Sequence, residues 1–213
     1  MWRLTLCVGL AMVVAGCRAA LTPQALQTYQ SRTLYTCCNI HYESGDINDA
    51  NYYVGTTLPA GTGAHVDGAG RDSITFSAGG VQLTLAHKYG TDQESFQQYI
   101  DKVLVAEDPK ARLATYPRAV QDAVREGRVE KGMTREQVLL SLGYPPTHRT
   151  PSLTLPEWTY WYNRWVTYKV QFDADGRVSN VIGRPAPTQD QPIPVATAAP
   201  AAPARPPASK KRR

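Results

Sequence analysis

The chain has 213 residues, four cysteines and a formal net charge of +5. Residues 17–184 carry 17 basic and 17 acidic side chains, while the last 29 residues hold Arg205, Lys210, Lys211, Arg212 and Arg213 against Asp190. A neutral body with a basic tail argues against a nucleic-acid-binding fold, which needs a basic face on the folded domain, and the length allows one or two small domains.

Met1, Trp2 and Arg3 precede Leu4–Gly16, an almost wholly apolar run of 13 residues. A bilayer-spanning helix needs about 20, so residues 1–16 read as a removable export signal. The sequence Val14-Ala15-Gly16-Cys17 resembles the lipobox of bacterial lipoproteins. That resemblance implies cleavage before Cys17 and acylation of it, with each buried CH₂ contributing about 0.8 kcal/mol to membrane attachment. Arg18, in place of an aspartate, implies sorting to the outer membrane with the chain facing the periplasm. Residues 17–33 then form a lipidated tether, helical near Gln24–Gln30.

From 34 to 90 the sequence predicts a small β barrel or sandwich. The apolar runs Leu34–Tyr42, Asn51–Val54, Ser73–Phe76 and Val81–His87 are separated by glycine-rich turns at Gly61–Gly63, Gly68–Gly70 and Gly79-Gly80. With Cys7 in the signal and Cys17 acylated, Cys37 and Cys38 remain. A vicinal disulfide, a bridge to another chain and two thiols are all open to them in an oxidising compartment. Strand neighbours point to opposite faces, which favours one buried and one less buried thiol.

Residues 91–126 read as a helical connector. Thr91-Asp92-Gln93-Glu94 has the form of a capping box, and Phe96, Tyr99, Ile100, Val103 and Leu104 follow at helical spacing. Asp108-Pro109 predicts a second helix start. Pro117 opens a third, with Ala119, Val120, Ala123 and Val124 inward and Gly127 as its stop.

Residues 127–184 predict a two-layer α+β domain. Thr134-Arg135-Glu136-Gln137 is another capping box, Val138, Leu139 and Leu142 form the apolar stripe, and Gly143-Tyr144-Pro145-Pro146 ends the helix. Three strands follow: Trp158 to Asn163, Tyr168 to Phe172 and Val178 to Ile182. Asp173-Ala174-Asp175-Gly176 turns the chain between the last two. From 185 to 213 the Pro/Ala-rich composition predicts disorder.

The residues Gly132-Met133-Thr134, Gln137-Val138, Leu142-Gly143, Pro145, the Trp158 and Tyr160 strand, Phe172 and Gly176-Arg177-Val178 resemble the SmpA/OmlA (BamE-like) outer-membrane lipoprotein domain family. The resemblance implies two helices on a three-stranded antiparallel sheet, no catalysis, and an accessory role beside partner lipoproteins and anionic phospholipid in β-barrel assembly.

Strand alternation sets Trp158, Tyr160 and Tyr162 on one face and Trp161, Asn163 and Trp165 on the other. One aromatic face must cover the helices. The other is either a partner surface, with Arg164 beside it, or is covered by the β module. Trp158, Tyr160, Tyr162, Trp161, Arg164 and Trp165 are therefore the candidate partner-binding residues. Lys210, Lys211, Arg212 and Arg213 are the candidate contact to anionic lipid or peptidoglycan.

His41, His65, His87 and His148 lack metal-pair spacing, and Glu43, Asp46 and Asp49 read as a solvated turn. No catalytic constellation, cofactor or metal site is expected. The sequence thus predicts a lipid-anchored, non-enzymatic scaffold of envelope or outer-membrane β-barrel assembly. Its rivals are a tether between outer membrane and peptidoglycan, through the β module and basic tail, and an inhibitor of a periplasmic enzyme.

Overall fold

The computed structural model describes residues 20–185. Cys17, the expected signal before it and the basic cluster Lys210–Arg213 lie outside that range.

Helix α1 (Pro23–Gln30) starts at Thr22, whose hydroxyl accepts from the Ala25 amide, and buries only Tyr29. Eight strands surround the next core: β1 (Leu34–Thr36), β2 (Ile40–Tyr42), β3 (Asp46–Asn48), β4 (Thr56–Leu58), β5 (Gly63–Ala69), β6 (Ser73–Ala78), β7 (Val81–Ala86) and β8 (Leu104–Val105). Six of them form one curled, half-barrel sheet in the order β3-β7-β6-β5-β1-β8, and β2 pairs with β4. All pairings in the large sheet are antiparallel except β3 with β7. Its inner face supplies Val66, Ile74, Phe76, Leu83 and Leu85, closed by Ile100 and Tyr99 of helix α2 (Phe96–Val103).

Several expectations need correction here. Helix α2 is capped by Ser95 and Gln98, not by Thr91 and Glu94. Glu94 instead pairs with Lys102 at 2.6 Å and accepts from Thr147, so its side chain is committed elsewhere. Residues 51–54 are not a strand, because Asn51 turns the chain at φ 47°. The glycine-rich stretch from Gly63 is a strand, β5, with Ala64 and Val66 alternating inward. Cys37 and Cys38 form a vicinal disulfide. They occupy the bend between β1 and β2, so the alternation of a continuous strand does not apply to them.

Three helices lead into the second core: α3 (Pro109–Leu113), capped by Asp108, α4 (Arg118–Arg125) and α5 (Arg135–Leu142). Ala119 is exposed, and Ala123 and Val124 carry the buried face of α4. Thr134 and Gln137 form the expected capping box of α5, and Gly143 ends it at φ 77°. Val138 and Leu142 are buried as expected, but so is Leu140 in place of Leu139, because α5 is covered from two sides. These helices pack on the meander of β9 (Glu157–Trp161), β10 (Thr167–Phe172) and β11 (Val178–Ile182), ordered β11-β10-β9. Gly176, at φ 72°, makes the β10–β11 turn. The protein is thus α+β, with a three-stranded two-layer unit following the β module.

Candidate docking surface

The two cores meet at a polar joint. Asn39, 2 % exposed, donates from Nδ2 to the Val124 and Ser141 carbonyls at 2.6 and 3.1 Å, and its Oδ1 accepts from the Ala60 amide at 3.0 Å. Its own amide donates to the Leu140 carbonyl at 3.0 Å. Asn51 donates to the Leu142 carbonyl at 2.8 Å and accepts from the His41 amide. The last-turn carbonyls of α4 and α5, which have no partner within their helices, are thus capped by asparagines of the β module. Sequence reading missed both; the only available signal was a polar residue set between apolar Cys38 and Ile40.

A second band of contacts closes the same joint. The Tyr53 and Val54 amides donate to the carbonyls of Trp161 and Tyr162, each at 3.2 Å, which extends the edge of β9. Tyr53 stacks on Tyr162 at 5.6 Å, Tyr52 meets Trp161 edge-on at 6.4 Å, and the Arg149 guanidinium lies 5.4 Å over the Trp161 ring. Arg184 lies between the rings of Tyr53 and Tyr168 and donates to the Gly127 carbonyl. The N-terminal module therefore covers part of Trp161 on the second aromatic face and, past the end of β9, part of Tyr162.

The six candidate partner-binding residues separate into three groups. Trp158 and Tyr160 are buried among the helices, with Tyr160 donating to the Gly143 carbonyl, so no partner can reach them. That is a correction, and its cause is that the helix-facing side of β9 is the core. Trp161 and Tyr162 are half-buried against the β module. Arg164 and Trp165 alone project, from the tip of the β9–β10 hairpin. Asn163 holds this tip by accepting from the Trp165 and Val166 amides at 2.9 Å each, and Tyr162 donates to the Val166 carbonyl. Trp165 is 83 % exposed, and partly exposed Val166 and Val54 add apolar surface to the same region.

Asp49 does not lie in a solvated turn. It is buried and accepts from the amides of Tyr89 and Gly90 at 2.8 and 2.7 Å, with His87 Nδ1 2.9 Å away. This buried pair braces the loop after β7. His41 is buried against Thr57 and Tyr53; burial first and Arg184 second lower its pKa to about 4. Among the described residues, no three His, Cys, Asp or Glu side chains converge on a metal-sized site.

Helices α4 and α5 on the three-stranded antiparallel sheet are the arrangement that the family resemblance implied. Residues 121–182 match the BamE family model. It is described as the outer membrane protein assembly factor BamE domain. The match to BamE begins at Gln121, inside α4, ahead of the expected start at 127, and Ala123 and Val124 do belong to the C-terminal core. The β module lies outside the BamE match. No curated protein and no solved structure matches the chain.

The neutral body is also polarised. Residues 20–108 carry 4 basic and 10 acidic side chains, whereas residues 109–185, which include the BamE match, carry 12 basic and 7 acidic.

Proposed function

We propose that the chain is a lipid-anchored accessory scaffold of outer-membrane protein assembly, docking its partner through the tip of the β9–β10 hairpin. The BamE match supports the assembly role. One observation carries the docking reading: Trp165 stands 83 % exposed on a tip whose backbone is fixed by Asn163. An exposed tryptophan on a rigid loop offers a large contact area at little entropic cost, which is the chemistry of an interface anchor. Acylated Cys17 would hold the body at the periplasmic face of the outer membrane. The excess of basic side chains in residues 109–185 suits a neighbouring anionic lipid surface. The scaffold needs no catalysis.

Photo-crosslinking in cells tests the docking surface, with a photoreactive residue at Trp165 and a control at exposed Asp67 on the β module. Crosslinks from position 165 to β-barrel assembly proteins, absent from position 67, are expected. Crosslinks confined to the same chain would remove the hairpin as the docking element. Cys17→Ser should release the protein from membranes, and retention after carbonate washing would refute the lipid anchor.

A further inference from the structure

The bend between β1 and β2 carries the vicinal disulfide Cys37–Cys38 into the joint. The Cys37 amide donates to the Val103 carbonyl at the end of α2, at 2.9 Å, and the Asn39 amide to the Leu140 carbonyl of α5, at 3.0 Å. One side of the bridge is thus tied to the β module and the other to the C-terminal unit. Directly after it, the Asn39 side chain caps α4 and α5 and holds the Ala60 amide. A bond between chain neighbours closes the shortest loop a disulfide can close, so it removes little entropy from the unfolded chain. Its effect falls on the local backbone of the joint instead.

The bridge also faces an opening. A cleft of about 410 Å³ lies between β8, α3 and α5, and both cysteines line it beside Val105, Leu139 and Tyr144. Cys37 is half-buried and Cys38 is 3 % exposed. A thiolate entering the cleft therefore meets the Cys37 sulfur first.

We infer that Cys37–Cys38 is a thiol-exchange site for a protein dithiol, and that its reduction loosens the joint through Asn39. A thiolate of the dithiol attacks Cys37 Sγ, the Cys37–Cys38 bond breaks, and Cys38 leaves as a thiolate that takes up a proton. The second thiolate of the dithiol then attacks its own partner sulfur in the mixed disulfide, and Cys37 leaves and is protonated in turn. Two electrons pass to the chain, and the dithiol ends as its own disulfide. The reverse exchange, with that disulfide as oxidant, closes the bridge again. With the bond open, the backbone between the two anchors regains torsional freedom, and Asn39 is held less firmly against its carbonyls. The site uses neither Arg164 nor Trp165, so the docking reading stands or falls separately.

Reduced thioredoxin, a protein dithiol, tests the site on the full chain in detergent, with alkylation and peptide mass mapping as the readout. In the isolated protein neither Cys37 nor Cys38 should be alkylated, even in denaturant. After thioredoxin treatment Cys37 should be alkylated without denaturant, and Cys38 once denaturant is added. Thioredoxin lacking its second cysteine should be trapped on Cys37. Free thiols at both positions in the isolated protein, or a bridge that opens only in denaturant, would overturn the exchange site. Trapping on Cys38 would refute the assignment of the attacked sulfur. Hydrogen exchange then reads the joint. Reduction should speed exchange at the Asn39 and Ala60 amides by about threefold or more, and leave Phe76 and Leu83 of the β6–β7 pair unchanged. Equal exchange in the bridged and reduced chains would overturn the coupling to Asn39. The double variant Cys37→Ala, Cys38→Ala should exchange at the reduced rate with or without thioredoxin. The parent chain before and after reduction keeps the test decisive if that variant does not fold.

Discussion

Asn39→Ala should loosen the joint between the two cores. The substitution removes both Nδ2 donations and the Oδ1 acceptor. The Val124 carbonyl keeps the Gly127 amide at 3.1 Å, so the principal losses fall on the Ser141 carbonyl and the Ala60 amide. Each buried polar group left unpaired costs about 1–3 kcal/mol, which gives about 4 kcal/mol in total. A domain of this size has about 5–15 kcal/mol of stability, so the loss is a large fraction. Urea denaturation followed by two probes measures it. The tryptophans of the described body, Trp158, Trp161 and Trp165, all lie in the C-terminal unit, so their fluorescence reports that unit and, through Trp161, its contact with Tyr52, while far-ultraviolet dichroism reports both units. In the parent chain the two transitions should coincide. In Asn39→Ala they should fall to lower urea and separate. Asn180→Ala, on the exposed side of β11, should cost no more than about 0.5 kcal/mol. A loss below about 1 kcal/mol for Asn39→Ala, with coincident transitions, would refute the assignment of the joint to this side chain.

The remaining predictions concern pH, the α5 stop and the aromatic strand. His41 has a pKa of about 4 in the fold against 6.5 for a free side chain, so its contribution is complete above 6.5 and is lost as pH falls toward 4, by about 2 kcal/mol at about pH 5. His41→Gln should flatten that part of the stability profile, and equal slopes in the two proteins would exclude His41 as the cause. Gly143→Ala places a Cβ 2.5 Å from Asn51 Nδ2 and 2.9 Å from the Asn39 carbonyl at φ 77°, and should cost about 2–4 kcal/mol in denaturant titration. Trp158→Ala should cost about 3–5 kcal/mol as a core truncation. Trp165→Ala should stay within about 0.5 kcal/mol, and comparable losses in the two would contradict the placement of Trp165 outside the core.

Sequence by itself determined those elements whose stabilising contacts lie within a few residues. The Thr134–Gln137 capping box, the Gly143 stop, the alternation of Trp158 and Tyr160 and the Asp173–Gly176 turn depend on near neighbours, and each stands in the structure. The choice between two adjacent capping signals was not local. Thr91–Glu94 lost to Ser95–Gln98 because Glu94 is held by Lys102 and by Thr147, 53 residues away. The same holds for the candidate surface. Alternation divided its aromatics into two faces, but only the packing of Tyr52, Tyr53 and Val54 on β9 decided that Trp161 and Tyr162 are half covered while Trp165 stays free. The joint was illegible for the same reason. Asn39 reaches carbonyls 85 and 102 residues along the chain, Asn51 one at 91, and Arg164 faces Glu43 across the body. A side chain's local pattern states which face it occupies; what lies against that face depends on how distant segments close in space, and that closure is set by the tertiary fold.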